Sequence, residues 1–328
     1  MNNQEVEFRG SRIPKNEVKV LKELEELSVI KKFSKVSKAD WKTRMGFSVE
    51  DNRVTRLGFI NCGLSSLPEK IGELSNLKEI FLASNNLKSL PYSFFNLSSL
   101  ETLDLSSNQL ETIPKFIRKL YALKTLNLNC NQLNKLSYSI GNLYALEKLE
   151  LNENNLIYLP DSIGNLKSLK YLSISQNKIK NLPESIGSLT NLTSLYLKMN
   201  NLEELPTTVG NLKSLRYLFL SQNNLKYLSE CIGNLSSLEK LALDYNQLTS
   251  LPDSMSSLDQ LKTLYISHNK ISKIPKAIIE LTSWSENPFG DSKKSLSEIH
   301  MWDNPFDSES KSKLKQLKKK GIFLNFNS

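Results

Sequence analysis

The sequence predicts an α/β solenoid, in which stacked coils line up a parallel sheet along one face. Three observations predict it. A 23-residue pattern recurs ten times without a break from Val54 to Ser283, and a fixed period between about 20 and 50 residues marks a repeat architecture. The first, fourth, sixth, eleventh, fourteenth, eighteenth and twenty-first positions of all ten copies are apolar, as coils need if each is to bury its inner face against the next. The fourth and sixth positions alternate with polar ones, the mark of a short strand with one face inward and one outward. Strands recurring at the same phase in successive coils run parallel.

Before the repeats, "NEVKVLKELEELSVIKKF" carries Val20, Leu24, Leu27, Ile30 and Phe33 at near-helical spacing. It predicts a capping helix over 16–33 with Asn16 as its N-cap. Trp41, Met45, Phe47 and Val49 are expected to pack between that helix and the first coil. Residues 1–53 thus read as an amino-terminal helical cap and 54–283 as the ten repeats.

Within the repeats the ninth position is Asn in nine successive copies, from Asn85 to Asn269, with Cys62 in its place in the first. Asparagine both donates and accepts, so a buried file of it can satisfy backbone groups where the chain leaves the strand. Proline at position fifteen, as at Pro68, Pro91 and Pro160, fixes φ where the coil bends. Glycine at position nineteen, as at Gly187 and Gly210, is expected where backbones approach closely or φ is positive. Residues 284–328 read as an irregular insertion, a degenerate eleventh copy "LSEIHMWDNPF" (296–306), and a carboxyl-terminal cap. That cap comprises a short basic helix stopped by Gly321 and a closing apolar segment, 322–324. Both ends read as finished, so the sequence is expected to be a whole protein.

The motif LxxLxLxxNxLxxLPxxIGxLxx resembles the leucine-rich repeat, in particular the intracellular 23-residue type of Ras-group and related prokaryotic proteins. The resemblance implies a right-handed, curved horseshoe with the parallel sheet on its concave side and helical or irregular caps.

The chain has 328 residues, 39% of them hydrophobic, enough for a large core. It shows neither a secretory leader nor a run approaching the ~20 apolar residues of a membrane span. A soluble cytoplasmic protein is expected, with Cys62, Cys130 and Cys231 as reduced thiols. The sequons at Asn96, Asn191 and Asn234 then read as by-products of an Asn-Leu-rich repeat. The net charge of +9 is spread over the chain: residues 1–53 hold 12 basic and 9 acidic side chains, and residues 284–328 hold 8 and 6. Only "KLKQLKKK" (313–320) forms a local basic run, which reads as the solvated face of a helix, so nucleic acid is not the expected partner.

Phosphate-loop, dinucleotide, HExxH and CxxC motifs are absent, and no cofactor or metal is expected. The segments outside the repeats are too short for an added GTPase, kinase or ligase domain. His268 and His300 fall in variable strand slots, with Asp244 and Asp303 expected near them, and suit a polar patch better than an acid/base pair. What remains is the outward face of the sheet. Its fifth position runs Gly58, Phe81, Asp104, Asn127, Glu150, Ser173, Tyr196, Phe219, Ala242, Tyr265, His300. The amino half is polar and the carboxyl half aromatic. Parallel strands lie ~4.8 Å apart, so Tyr171, Tyr196, Tyr217, Phe219, Tyr245 and Tyr265 are expected to form one patch edged by Met199 and Trp302. Lateral packing can explain one or two such rings; a cluster on a polar surface points to an interface. A second candidate lies on the convex side around Phe95 and Tyr121, with Tyr92, Phe116 and Tyr144.

The reading is a non-enzymatic interaction module or scaffold that binds a protein through the concave sheet. The Ras-group resemblance suggests a small GTPase or a signalling complex as partner. The alternatives are an adaptor for an anionic ligand, nucleic acid or membrane, through Lys313, Lys315, Lys318, Lys319 and Lys320, and an enzyme with a site around His268 and His300.

Overall fold

A computed structural model describes residues 4–30, 33–40, 42–282, 296–319 and 322–326. The chain divides into two compact units, Met1–Leu156 and Ile157–Ser328.

The first unit opens with structure that periodicity does not foretell. Strands β1 (Glu5–Phe8) and β2 (Ser11–Pro14) pair antiparallel through the two-residue turn Arg9-Gly10. Both turn residues have positive φ, 50° and 75°, the backbone that suits the twist of a tight hairpin. Helix α1 spans Lys15–Leu27, shorter than the expected 16–33, and its N-cap is Pro14 rather than Asn16. It buries Val18, Val20, Leu21 and Leu24. Glu17 is buried with them; its carboxylate accepts from the Val54 amide at 2.9 Å and from Arg53 at 2.5 Å, which ties the helix to the first residue of the repeats.

Strand β4 (Met45–Glu50) runs antiparallel to β5 (Arg53–Phe59), the first repeat strand, while the short β3 (Ser34–Lys35) pairs parallel with β4. The edge of the first coil is therefore covered by a strand, where only packing side chains were expected. Phe33 lies 5.2 Å from Phe47 and 5.1 Å from Phe59, ring to ring, and Met45 and Phe47 are buried. Trp41 lies outside the described residues. From β5 the chain steps through β6 (Glu79–Phe81), β7 (Thr102–Asp104), β8 (Thr125–Asn127) and β9 (Lys148–Glu150), each parallel to the last and one repeat further on.

The second unit carries β10 (Tyr171–Ser173), β11 (Ser194–Tyr196), β12 (Tyr217–Phe219), β13 (Lys240–Ala242), β14 (Thr263–Tyr265) and β15 (Glu298–His300), again parallel and in register. A further parallel strand, β16 (Phe323–Asn325), pairs with β15; the apolar segment read as a closing cap continues the sheet. Helix α3 (Ser308–Lys319) seats Leu314 and Leu317 in the core. The stop expected at Gly321 falls outside the described residues.

Opposite the strands, most repeats make a five-residue 3-10 turn entered from the position-fifteen proline or serine, as at Asp161–Asn165 after Pro160 and Glu230–Asn234 after Ser229. The tenth copy makes α2 (Lys276–Thr282) instead. Glycine at position nineteen answers to close approach rather than positive φ: a Cβ on Gly187 would stand 2.3 Å from the Thr208 carbonyl oxygen. Positive φ belongs to position eight. All eleven residues there, from Asn61 to Asp303 and including Met199, Tyr245 and His268, have φ between 52° and 59°.

The asparagine ladder follows from that turn. Asn200 accepts the Ile179 amide at 3.0 Å and donates to the Ile174 and Leu197 carbonyls at 2.9 and 3.2 Å. Most of its counterparts repeat the pattern. Asn304 extends it to the eleventh copy, accepting from Ile271 and donating to Ile266 and Met301. Cys62, at the ladder's start, points its thiol at the Arg44 carbonyl, and burial raises its pKa.

Candidate functional site

Side chains at positions three and five of each repeat, the two ends of its three-residue strand, stand on the open face of the sheet, because strand residues two apart share a face. Where adjacent strands both carry rings at position five, the strand spacing brings the rings into stacking range. Tyr196 and Phe219 are 4.7 Å apart with planes only 6° from parallel, and Tyr265 and His300 are 4.6 Å apart at 17°. Tyr171, at position three of β10, extends the first pair, 5.1 Å from Tyr196. Phe323, on β16 and 59% exposed, extends the second, 5.5 Å from His300. Between the two groups lies Ala242, and over the gap reaches Lys240. Its ammonium is 5.8 Å from the centre of the Phe219 ring and 4.8 Å from that of Tyr265, within the range of cation–π attraction.

The site residues expected from the sequence thus separate. Tyr171, Tyr196, Phe219 and Tyr265 fall on one file. Tyr245 belongs to a second stack with His268, 4.0 Å away and 13° from parallel. It projects from the left-handed turn at position eight. Tyr217 is stacked on no other ring among the described residues and lies 5.4 Å from the Arg216 guanidinium. Met199 and Trp302 are 41% and 47% exposed and join neither stack. His300, the last of the fifth-position series and read as part of a polar patch, and Phe323, read with the cap, both complete the file. A repeat signature would have marked Phe323, but its segment carries none.

The electrostatics of the face are local. His300 Nε2 lies 2.8 Å from Glu298, and this contact, ahead of all else, lowers the Glu298 pKa. His268 Nδ1 lies 2.9 Å from Asp303. The two histidines therefore have separate carboxylate partners. Asp244 serves neither: it accepts from the Ser267 amide at 2.9 Å and the Ser221 hydroxyl at 3.4 Å, and burial raises its pKa. Burial likewise raises the Tyr196 phenol. Among the described residues no group of three or more His, Cys, Asp and Glu is arranged to hold a metal ion.

On the other candidate surfaces, Phe95 is buried, which removes it from the convex patch. Tyr92 and Phe116 meet edge to face at 4.7 Å, with the Lys119 ammonium 4.6 Å from the Tyr92 ring, and Tyr121 and Tyr144 stand exposed. On α3, Lys313 pairs with Glu309, and Lys320 lies outside the described residues. No helix among the described residues is long and apolar enough to cross a membrane.

Comparison with known proteins agrees with this architecture. A family model described as a leucine-rich repeat region matches residues 121–216, 161–244 and 207–295. Two further leucine-rich-repeat models match 52–110 and 98–139. No curated protein matches the chain. Among solved structures, a leucine-rich-repeat protein of Leptospira interrogans is similar at 32% identity and a TM-score of 0.73, over 84% of this chain and 72% of that one. The ectodomain of the Arabidopsis thaliana membrane receptor kinase GASSHO1/SCHENGEN3, in complex with CASPARIAN STRIP INTEGRITY FACTOR 2, is 28% identical. It aligns over 86% of this chain and 32% of its own, at a TM-score of 0.65. A plant peptide hormone receptor in complex with RGF2 is 25% identical over 87% of this chain and 49% of its own, at 0.59.

Proposed function

We propose that this chain, which belongs to the leucine-rich-repeat family, binds a protein partner on the open face of the sheet in residues 157–328 and catalyses no reaction. Leucine-rich repeats are protein-interaction modules, and two of the similar structures are complexes. The observation that carries the reading is the file of rings on β10–β12 and β14–β16. Stacked rings on a sheet stabilise one another by roughly 0.5 to 1.5 kcal/mol a pair. Packing alone, however, gives no reason for Phe323, Tyr245 and Trp302 to stand exposed around the stacks. Clustered aromatics of this kind are enriched at interface hot spots.

A small GTPase or a signalling complex fits as partner through the repeat's resemblance to Ras-group proteins alone. The free thiols Cys62, Cys130 and Cys231 suit the cytoplasm. Affinity capture from the native cell tests the reading. A variant with Tyr196→Ser, Phe219→Ser and Tyr265→Thr should lose the captured protein, while a control changed at Thr102, Thr125 and Asn127 keeps it. Full capture by both would overturn it.

A further inference from the structure

The stacked file is interrupted at one strand. Along position five the residues run Tyr196, Phe219, Ala242, Tyr265, His300, and the register pairs Phe219 with Ala242 and Ala242 with Tyr265. On each side of the break, adjacent strands place rings 4.6 to 4.7 Å apart and nearly parallel. Phe219 and Tyr265 stand two strands apart, ~9.6 Å at ordinary strand spacing. One layer of a five-ring stack is therefore missing, and the space left is as thick as one aromatic ring. It opens into a shallow recess of about 420 Å³ lined by Phe219, Tyr265, Lys198, Lys240, Asp244 and Tyr245, among others, in which Ala242 is only 4% exposed because Lys240 reaches across the gap.

The recess is charged as well as flat-walled. Lys240 rests its ammonium over the two ring faces rather than on a carboxylate, and Lys198 lines the same recess. The acids around it are engaged: Asp244 by Ser267 and Ser221, Glu298 by His300 and Thr263. A guest ring entering between Phe219 and Tyr265 would displace the Lys240 ammonium from their faces and free it, beside Lys198, for an anion carried by the guest.

We propose that this recess takes a planar aromatic side chain that the partner protein presents next to a carboxylate. The proposal rests on the open face being the partner-binding surface. A carboxylate matches the charge better than a phosphate dianion does. Lys240 and Lys198 stand beside Asp244 and Glu298, so the recess offers the guest the one ammonium it displaces, enough to pair with a single carboxylate and too little for a phosphate dianion.

The test titrates the intact chain, carbon-13-labelled at alanine methyls, with acetyl-Trp-Glu-amide and follows the Ala242 signal. Saturable shifts are expected, with acetyl-Leu-Glu-amide about tenfold weaker for want of the ring. Ala242→Phe supplies the missing layer from the chain itself and should abolish the peptide's binding, read by isothermal titration calorimetry. Lys240→Met, on the exposed face, should keep the preference for Trp over Leu but lose the preference for acetyl-Trp-Glu-amide over acetyl-Trp-Gln-amide. Equal binding of the Trp and Leu peptides, undiminished binding by Ala242→Phe, or tighter binding of uridine monophosphate than of the peptide would each overturn the proposal. Ala242→Phe leaves Tyr196, Phe219 and Tyr265 in place. A failed titration therefore removes the recess without touching the capture experiment, and a failed capture experiment removes the open-face reading itself.

Discussion

The side-chain amide of Asn200 donates to the carbonyl oxygen of Ile174, 26 residues earlier, and so joins two coils alongside the backbone bonds that flank it, Asn177 to Met199 and Asn201 to Ile179. Its oxygen takes the Ile179 amide at 3.0 Å, in a site where Asn200 is only 6% exposed. Asn200→Ala would strand these groups away from water, at about 1 to 3 kcal/mol for each left unsatisfied. The urea midpoint is expected to fall clearly at constant slope. An unchanged midpoint would show that water replaces the amide without loss.

At the amino end, the turn of the first coil is served by Asn85, and Glu17 instead fixes the start of the first repeat strand. It takes the Val54 amide while neutralising Arg53. Removing one member of a buried charged pair commonly costs about 3 to 5 kcal/mol, so Glu17→Ala should destabilise the first unit severely if residues 1–53 serve as its cap. Hydrogen exchange at the Val54 and Leu57 amides reads this directly. Protection equal to that of the unaltered chain would mean that α1 is not docked through this contact.

Position eight imposes left-handed backbone on whatever residue stands there, at roughly 1 to 2 kcal/mol for a side chain with no means of relief. Met199, with φ of 56°, allows the cost to be measured away from the core. Met199→Val should lower stability by about 1 kcal/mol or more, since β-branched residues tolerate this region worst. Met199→Gly should be neutral or stabilising. Thermal unfolding of the pair gives the ordering, and valine matching glycine would contradict the assignment of strain.

Asp244 makes a prediction about pH. Burial holds its carboxyl above the ordinary carboxylate range, so the folded chain binds that proton more tightly than the unfolded one. Its contribution to stability is full below the unfolded pKa and is lost as pH rises through the folded pKa. Asp244→Asn, which can still accept from Ser267, should flatten the stability profile over that window and raise the midpoint at neutral pH. A profile that keeps its slope would place the titration elsewhere.

Much of this was legible in the sequence. The 23-residue period located each repeat strand, because Leu195 or Leu218 can be buried only if its copies stack. Position nine likewise announced the ladder, since a polar residue at a buried phase needs backbone partners. Non-periodic contacts were not legible. The hairpin at Arg9-Gly10, the antiparallel cover of β5 by β4 and the parallel strand at Phe323–Asn325 arise from single pairings that leave no repeat to count. The composition of position five was readable, Ala242 included. That Ala242 leaves a ring-wide gap became visible only with the stacking distances, which depend on rotamers as well as register.

The last prediction separates packing from recognition at the Tyr196–Phe219 stack. The rings are almost parallel at 4.7 Å, so part of their burial is mutual. A double-mutant cycle with Tyr196→Ser and Phe219→Ser should give a coupling of about 0.5 to 1.5 kcal/mol in unfolding. The repeat core would be untouched, since Leu195 and Leu218 point inward and are fully buried. Partner affinity should respond on a different scale. Aromatic anchors at an interface commonly cost about 2 kcal/mol or more apiece when truncated, so the double variant should bind more weakly by far more than it is destabilised. A binding loss no larger than the stability loss would mean that the file is ordinary lateral packing of the sheet, and attention would shift to the exposed rings Tyr92, Tyr121 and Tyr144.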